Sequence, residues 1–305
     1  MSLTPSGAQF DISHGTQHAT IVEVGGGIRD YHSAGNPILD GYPSQDMCSG
    51  ARGTPLIPWP NRLADGRYQF DGVTHQLPLT EPATNTAIHG LTRWRTWTLR
   101  ELSAHHVALA TILPPQPGFP FTLHVTIDYT LDDAGLTVAT TATNFGGTRC
   151  PYACGQHPYL TTGSELIDSC RLEMDAAYWL PIDERGLPTT RRRVVGSHLD
   201  FRAPRPIADT VIDNAFTGLA RDTAQRAWLR LTGPDGRTVR LWVDEHYRYL
   251  ELYTGDTQPA DVQRRGLGVE PMTCPPNGLA TGEDLIILDP GQSVTTRWGI
   301  QPDTD

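Results

Sequence analysis

Hydrophobic and polar residues alternate with a period of two along much of the chain. The clearest run is 123–131, whose apolar positions are Leu123, Val125, Ile127, Tyr129 and Leu131. Polar residues occupy the positions between them, a pattern that predicts a strand with one buried and one exposed face. A turn-like segment, Asp132–Gly135, leads into the threonine- and valine-rich segment 136–143. Together these segments predict a hairpin.

A second hairpin is predicted near the C-terminal third of the chain. Segments 228–231 and 238–243 flank the turn-forming sequence Gly233-Pro234-Asp235-Gly236, and 247–253 continues in the same style. No long segment has the 3.6-residue period of an amphipathic helix. The pattern therefore predicts an all-β fold.

Turn signals and composition bear on domain organisation. Asp-Gly, which favours tight turns, occurs at Asp40-Gly41, Asp65-Gly66, Asp71-Gly72 and Asp235-Gly236. The 25 prolines and 30 glycines are spread through the chain and mark no linker, and we find no internal repeat. We expect one domain, residues 1–305, built as a large antiparallel β-sandwich with long loops on one face.

Charge and cysteine content narrow the class of function. The formal net charge of -10 repels polyanions and argues against a nucleic-acid partner, while neutral ligands are unaffected. No apolar span reaches the ~20 residues of a membrane helix, and 1–10 lacks the pattern of a signal peptide. Five sparse cysteines do not predict a disulfide framework. We expect a cytoplasmic protein that acts on a small molecule.

Four segments combine proline- or glycine-rich backbone with side chains that can carry chemistry. They contain Arg62 (Pro58–Arg62), His89 (Ala87–Gly90), His157 (Cys154–Leu160) and Glu270 (Gly268–Thr273). Histidine is suited to proton transfer near neutrality, and a held carboxylate is suited to general-base catalysis. Each residue alone also fits a structural role, as a surface ion pair, a core histidine or a buried loop cap.

Two other constellations compete with these segments. Cys150, Cys154 and His157 have a C-x3-C-x2-H spacing that could ligate zinc, although a second compact ligand pair is missing. The basic runs Arg191–Arg193 and Arg264–Arg265 could bind a phosphate. Nucleotide-binding loops, nucleophile elbows and zincin motifs are absent from the sequence. Proton chemistry without a cofactor or a metal is the interpretation that is left.

Taken in order, the motifs resemble the aldose 1-epimerase (galactose mutarotase) family from about residue 25 to residue 300. The resemblance is carried by Pro60-Asn61-Arg62, Ile88-His89-Gly90, Gly155-Gln156-His157-Pro158-Tyr159-Leu160 and Val269-Glu270-Pro271. Leu91 stands where many members have a second glycine. The segment 47–59 is more similar to the bacterial YihR-like branch than to the galactose enzymes.

The resemblance implies a fold, an activity and roles for named residues. It implies the galactose mutarotase-like supersandwich and the interconversion of the α and β anomers of an aldose. Glu270 would remove the proton of the anomeric hydroxyl and His157 would protonate the ring oxygen. Arg62, His89 and Asp213, in Val211–Phe216, would bind the sugar. The alternatives are a mutarotase acting on hexose 6-phosphate and a noncatalytic sugar-binding sandwich.

The reaction makes demands that the structure can address. Acid and base must flank one C–O unit, so Glu270 and His157 must share a pocket, on either side of a space the size of the sugar's C1–O5 unit. A nearby carboxylate favours the protonated imidazole that the acid role needs. We therefore expect a cationic His157 and convergence of all five predicted residues on one groove.

Overall fold

Strands dominate the computed structural model of the protein, which describes residues 4–303. The first three and last two residues of the predicted domain lie outside the described residues. The strands in chain order are β1 Gln9–His14, β2 Gln17–Val22, β3 Ile28–Ser33, β4 Asn36–Pro37, β5 Pro55–Leu56, β6 Arg62–Ala64, β7 Arg67–Phe70, β8 Val73–Gln76, β9 Thr86–Ile88, β10 Thr98–Leu102, β11 His106–Leu113, β12 Leu123–Asp132, β13 Gly135–Asn144, β14 Cys150–Tyr152, β15 Gly155–Gln156, β16 Tyr159–Leu160, β17 Arg171–Met174, β18 Ala176–Leu180, β19 Arg192–Arg193, β20 Arg205–Pro206, β21 Asp213–Leu219, β22 Ala227–Thr232, β23 Thr238–Val243, β24 Tyr249–Tyr253, β25 Leu267–Met272, β26 Ile286–Leu288 and β27 Ser293–Pro302.

Two large sheets contain most of these strands. One has nine strands in the order β10-β11-β12-β13-β27-β23-β22-β17-β20. The other has eight strands, in the order β19-β18-β21-β24-β25-β15-β5 with β16 also paired to β25. Neighbouring strands in both sheets are antiparallel. The predicted all-β, antiparallel architecture is confirmed.

The remaining elements are short. Strands β1–β4 form a four-stranded sheet, and β14 with β26, β6 with β9 and β7 with β8 form three separate pairs. Within residues 4–303 the helical segments are a 3₁₀ turn, Ile167–Ser169, and one α-helical turn, α1, Gly278–Thr281. A helix with the length and apolarity to cross a membrane is not found among these residues.

The predicted hairpins agree with the observed strands. In β12 the apolar positions are fully buried, while the alternate polar positions are partly exposed. β13 pairs with β12 from Leu123↔Asn144 to Asp132↔Gly135. β22 and β23 pair around the predicted turn at 233–236. The two-residue period predicts these strands correctly because each strand has one face on the core and one toward water.

Not every Asp-Gly dipeptide forms the tight turn that the sequence predicts. Asp71-Gly72 and Asp235-Gly236 close the hairpins β7–β8 and β22–β23, and Asp65-Gly66 turns the chain between β6 and β7. Asp40-Gly41, however, forms no hairpin. Asp40 is buried and bonds Arg52 at 3.3 Å, so at this position the aspartate serves a tertiary contact and not a turn.

The two faces of the eight-stranded sheet differ in character. Leu250, Leu252 and Val269 belong to the main hydrophobic core. Residues directly opposite on antiparallel strands project from the same face, and Glu251 lies opposite Glu270 across β24 and β25. Both glutamates are 2 % exposed. The face away from the core therefore carries buried carboxylates.

A buried glutamine links the two large sheets beside this face. The Gln156 side chain donates to the Tyr129 hydroxyl of β12 at 3.1 Å and to the Gly53 carbonyl at 3.0 Å. Its oxygen accepts from the Trp298 indole of β27 at 3.3 Å. The residue that precedes His157 is thus fixed to the nine-stranded sheet.

Candidate active site

All five residues predicted from the sequence line one pocket of about 230 Å³. The lining residues come from strands and loops between positions 50 and 270. They are Gly50, Ala51, Asn61, Arg62, Glu81, Ile88, His89, Arg93, His157, Tyr159, Asp213, Tyr253, Thr257, Gln258 and Glu270. The structure therefore brings together side chains that are more than two hundred positions apart in the sequence.

Strands, not loops, position the acidic side chains. Glu270 lies inside β25 and Asp213 begins β21, although Pro271 made a loop the expected setting for Glu270. Asp213 pairs with Tyr253, two positions from the pairing of Ala215 with Glu251. Because side chains two residues apart share a face, Asp213 and Glu270 project from the same side of the sheet.

Backbone bonds and a ring contact hold His157 between β15 and β16. Its carbonyl accepts from the Gly53 amide at 2.9 Å, and its own amide donates to the Thr54 carbonyl at 3.1 Å. The Tyr159 ring stacks on the imidazole at 4.8 Å between centroids, with planes 13° apart. The Arg52 guanidinium covers that tyrosine at 4.6 Å. The imidazole orientation is therefore restricted.

His157 and Glu270 are in direct contact. His157 Nε2 lies 3.0 Å from Glu270 Oε1, and both side chains are almost fully buried. The two groups were expected on either side of a space the size of the sugar's C1–O5 unit, whereas they lie within ion-pairing distance of each other. His157 Nδ1 and Glu270 Oε2 have no hydrogen-bond partner among residues 4–303.

Burial controls the protonation of this pair. It raises the pKa of Glu270 well above its ordinary value, with the Asp213 charge adding to the effect. Burial, followed by the Arg93 charge, lowers the pKa of His157 to about 3. The expectation of a cationic imidazole in the free protein is not supported. Desolvation favours a neutral carboxylic acid beside a neutral imidazole.

Arg62 connects two acidic side chains of the pocket. Its Nε donates to Glu81 Oε2 at 2.9 Å, and its Nη1 lies 4.0 Å from Asp213 Oδ2. Burial raises the pKa of Asp213, and the Arg62 charge opposes that rise. The guanidinium is thereby held with N–H groups toward the pocket. A hydroxyl oxygen of a ligand can accept hydrogen bonds from them.

His89 adopts a left-handed backbone conformation, with φ of 63°. Its amide donates to the Asn61 carbonyl at 3.1 Å, and its Nδ1 accepts from the Asn61 amide at 3.2 Å. Burial lowers the pKa of His89 well below its ordinary value, helped by the nearby His157, Arg93 and Arg62. With Nδ1 accepting, the neutral ring carries its proton on Nε2 as a donor.

Three ionisable residues of this region were not predicted from the sequence. Glu251 is buried beside Glu270, and Glu81 and Arg93 line the pocket. A charge in the centre of Tyr249-Leu250-Glu251-Leu252-Tyr253 was a signal available in the sequence, because charged residues are almost never fully buried without a reason. Glu81 and Arg93 lie in loops and carry no comparable signal.

The competing constellations take other positions in the fold. Cys154 Sγ lies 3.5 Å from the Thr296 hydroxyl, and the clusters of metal-ligating side chains found within 4–303 include no cysteine. Arg191 pairs with Glu283, and Arg264 pairs with Asp168. These arginines do not line the pocket. The cysteine-based zinc site and the two basic runs therefore do not contribute to this site.

A different metal-ligand set is present within the pocket. One ligand atom from each of His89, His157 and Glu270 lies within 4.8 Å of the others. Two imidazoles and a carboxylate are donors that zinc accepts. Two of these groups, His157 Nε2 and Glu270 Oε1, lie 3.0 Å apart, as an acid–base pair would.

Comparison with known proteins relates this site to a family. Residues 9–301 match the aldose 1-epimerase family. The chain is 37% identical to the uncharacterized protein YihR of Escherichia coli K12 over 94% of this chain and 91% of that protein. It is 29% identical to the aldose 1-epimerase of the same organism, over 66% of this chain and 59% of that enzyme.

Solved structures show the same fold. The GalM/aldose epimerase homologue from C. elegans superposes with a TM-score of 0.87 at 18% identity, covering 97% of this chain and 98% of that one. The sequence match over nearly the whole chain and the shared supersandwich agree with the resemblance of the ordered motifs. The chain belongs to the aldose 1-epimerase family.

Proposed function

We propose that the protein is a mutarotase, which interconverts the α and β anomers of an aldose by opening and reclosing the sugar ring. The observation that carries this proposal is the close approach of Glu270 and His157, 3.0 Å apart in the wall of a sugar-sized pocket. The free Glu270 Oε2 and His157 Nδ1 give the pair unused hydrogen-bonding capacity. Relatives named aldose 1-epimerase and galactose mutarotase support the same chemistry.

The spacing of the pair suits a hemiacetal. The anomeric hydroxyl oxygen and the ring oxygen are bonded to one carbon, so they lie closer together than two hydrogen-bonded atoms. A carboxylate oxygen and an imidazole nitrogen 3.0 Å apart can therefore each reach one of these oxygens. Glu270 takes the proton of the C1 hydroxyl as His157 delivers one to O5, the C1–O5 bond breaks, and the aldehyde forms.

Rotation about C1–C2 and reclosure on the other face complete the reaction. Each well-placed proton-transfer group typically contributes ~10²–10⁴ in rate. The reverse direction uses the same two groups with exchanged roles.

One proton on the pair is enough for the first step. Burial places that proton mainly on Glu270 in the free protein, while catalysis starts with it on His157. The 3.0 Å separation of Nε2 and Oε1 provides a direct path for this transfer, so no exchange with solvent is required. A sugar hydroxyl that donates to the carboxylate stabilises its charged form and favours the transfer.

The remaining predicted residues bind the other hydroxyls in this proposal. Arg62 and His89 donate hydrogen bonds, and Asp213 accepts them. The bond of Arg62 to Glu81 and that of His89 to Asn61 fix the orientations of these two side chains before the sugar arrives. A noncatalytic sugar-binding module would not need a buried acid–base pair, whose desolvation costs stability.

The five cysteines are buried free thiols. A reducing cytoplasm maintains that state, so a cytoplasmic location is part of the proposal.

Polarimetry of freshly dissolved α-D-glucose, α-D-galactose and other aldoses with the purified protein tests the function. We expect a first-order approach to anomeric equilibrium whose rate increases in proportion to protein concentration for at least one sugar. Heat-denatured protein at equal concentration is the control. An unchanged rate for every neutral and anionic aldose at micromolar protein would refute the mutarotase assignment.

A further inference from the structure

A row of buried side chains leads from the Asp40 carboxylate to the imidazole of His157. Asp40 Oδ2 lies 3.3 Å from Arg52 Nη2, and the Arg52 guanidinium carbon lies 4.6 Å from the centre of the Tyr159 ring. That ring stacks on the His157 imidazole, with centroids 4.8 Å apart and planes 13° apart. The four residues are between 2 % and 8 % exposed. Arg52 is therefore connected to the imidazole through one tyrosine ring.

Backbone and hydroxyl bonds fix Tyr159 within this row. The Asp40 amide donates to the Tyr159 carbonyl at 2.9 Å. The Tyr159 hydroxyl donates to the Gly50 carbonyl at 2.9 Å, and Arg52 Nη1 donates to the Ser49 carbonyl at 3.4 Å. The segment 49–52 thus holds both the hydroxyl and the face of the ring, so the ring has little freedom to tilt.

The ion pair at the start of the row lies outside the pocket wall. Tyr159 and His157 line the pocket, whereas Asp40 and Arg52 are not among its lining residues. A buried ion pair is a weak source of stability, because the desolvation of two charges can exceed their attraction. A cation near the face of an aromatic ring is attracted to that ring, and more strongly when it is desolvated. The geometry therefore favours a role of Arg52 in placing the ring.

We propose that Arg52, held by Asp40, is a positioning residue that keeps the Tyr159 ring against His157, so that the imidazole stays aimed at Glu270 and at the ring oxygen of the sugar. This inference rests on the proposed mutarotase function. The restriction matters because a catalytic group displaced by about 1 Å can lose about 10²-fold in rate.

A second arginine on the same carboxylate provides a matched control. Arg265 Nη2 lies 2.8 Å from Asp40 Oδ1, with a side chain that is about half exposed. Of the arginines in residues 4–303, Arg52 is the one that lies over the Tyr159 ring. Removing either arginine therefore costs Asp40 one partner, but only the loss of Arg52 should release the ring.

The kinetic test compares variants of these two arginines with the sugar that the protein anomerises fastest. Arg52→Met should lower kcat at least about tenfold and leave KM near the wild-type value, because the sugar-binding groups are unchanged. Arg52→Lys keeps a cation and should recover part of the loss. Arg265→Gln should keep the wild-type kcat. Equal falls of kcat in Arg52→Met and Arg265→Gln would overturn the proposal.

Tyr159→Leu tests whether Arg52 acts through the ring. This variant leaves the ion pair in place and should itself lower kcat, and adding Arg52→Met to it should cause no further fall. A full additional loss would overturn the proposal, because Arg52 would then act by another route. If Arg52→Met does not fold, Tyr159→Leu and Arg52→Lys replace it, and an unchanged kcat in both would also overturn the proposal.

NMR of protein labelled with isotopic histidine reports on the imidazole without any sugar. The ring current of a stacked tyrosine displaces the carbon-bound protons of His157, whose signals are assigned by their absence in His157→Asn. This displacement should be lost in Arg52→Met and kept in Arg265→Gln. If no sugar is anomerised yet this pattern holds, the mutarotase function fails and the positioning role stands. If sugars are anomerised and Arg52→Met keeps both its kcat and the displacement, the positioning role fails alone.

Discussion

Glu270 is the residue on which the proposed chemistry depends most directly. Glu270→Gln keeps the shape of the side chain but cannot accept the proton of the anomeric hydroxyl. We expect the mutarotation rate to fall ~10²-fold or more, the usual size of a general-base contribution, with unchanged circular dichroism. Glu245→Gln, which changes an exposed glutamate, is the control and should retain the wild-type rate. Normal activity of a folded Glu270→Gln protein would remove Glu270 from the base role.

Glu251 has a consequence for the pH dependence of stability. Burial raises its pKa well above the ordinary value, with the Asp213 and Glu270 charges adding to the rise. The folded protein therefore binds a proton that the unfolded chain releases near pH ~4.3. Stability is fully present below that pH and is lost as the pH rises toward the folded-state pKa.

Glu251→Gln removes this pH-dependent loss of stability because the amide is neutral at every pH. We expect the variant to gain free energy of unfolding relative to wild type from pH 5 to pH 8, and to show the smallest difference at pH 4. Urea unfolding at several pH values measures this, with the exposed Glu184→Gln as the control. A difference that does not change with pH would show that Glu251 is ionised to the same extent in both states.

The cluster of His89, His157 and Glu270 allows a direct test of metal dependence. The proposed mechanism uses only side-chain protons, so we expect incubation with EDTA to change neither the mutarotation rate nor the melting temperature. Stoichiometric zinc in the purified protein, together with loss of activity on its removal and recovery on its return, would instead assign these three residues to a metal.

At the scale of single residues, the sequence pointed to the groups with a distinctive local context and missed the others. His157 and Glu270 stand beside prolines, and His89 precedes a glycine. Arg93 has no such context, and only the tertiary structure places it in the pocket. The protonation of His157 was also expected wrongly, because the desolvation that lowers its pKa depends on tertiary burial.

The strands β24 and β25 show which features of a sheet a local sequence pattern can and cannot predict. The alternation in β12 identified it as a strand because one of its faces is exposed to solvent. β25 is buried throughout, so its six residues show no alternation, and Pro271 further obscured it. The register that places Glu251 opposite Glu270 is a pairing between two strands joined by the long loop 254–266, and the pattern within either strand does not encode it.

The segment that carries His89 depends on a glycine that packs against Ile57, the residue that follows β5. Gly90 has φ of 71°, and a Cβ there would lie 2.0 Å from the Ile57 carbonyl oxygen. Gly72 has a similar φ of 77° but open space around the Cβ position. Alanine substitutions at these two glycines therefore separate two costs in unfolding free energy, that of the left-handed conformation and that of the contact with Ile57.

We expect Gly72→Ala to cost roughly 1–2 kcal/mol of unfolding free energy, the usual penalty of a left-handed alanine, and to leave activity unchanged. Gly90→Ala should cost more and should also lower the mutarotation rate, because the displaced backbone carries His89 with it. Urea unfolding and polarimetry of both variants measure this. Equal losses of stability would show that the backbone at Ile57 can shift at little cost in free energy.

At the scale of the whole molecule, the pocket lies on the eight-stranded sheet and is tied to the nine-stranded sheet by the residue next to His157. Glu270 and Asp213 lie on the eight-stranded sheet, while Gln156, next to His157, is bonded to Tyr129 and Trp298 of the nine-stranded sheet. One hydrophobic cluster includes residues of both sheets. Composition could suggest a single domain, because no linker interrupts the chain, but it could not show where the sheets meet.

This arrangement predicts that the chain unfolds as one unit. If the eight-stranded sheet opened alone, it would expose its half of the shared core and leave the Trp298 indole and the Gln156 amide without their partners, at a cost of about 1–3 kcal/mol for each buried polar group. Tryptophan fluorescence, far-ultraviolet circular dichroism and mutarotase activity should therefore change at one common urea concentration. Gln156→Leu should shift that common midpoint to lower urea without splitting the transition. Activity lost at a distinctly lower urea concentration than the strand signal would instead show that the site-bearing sheet is a separate unit of folding.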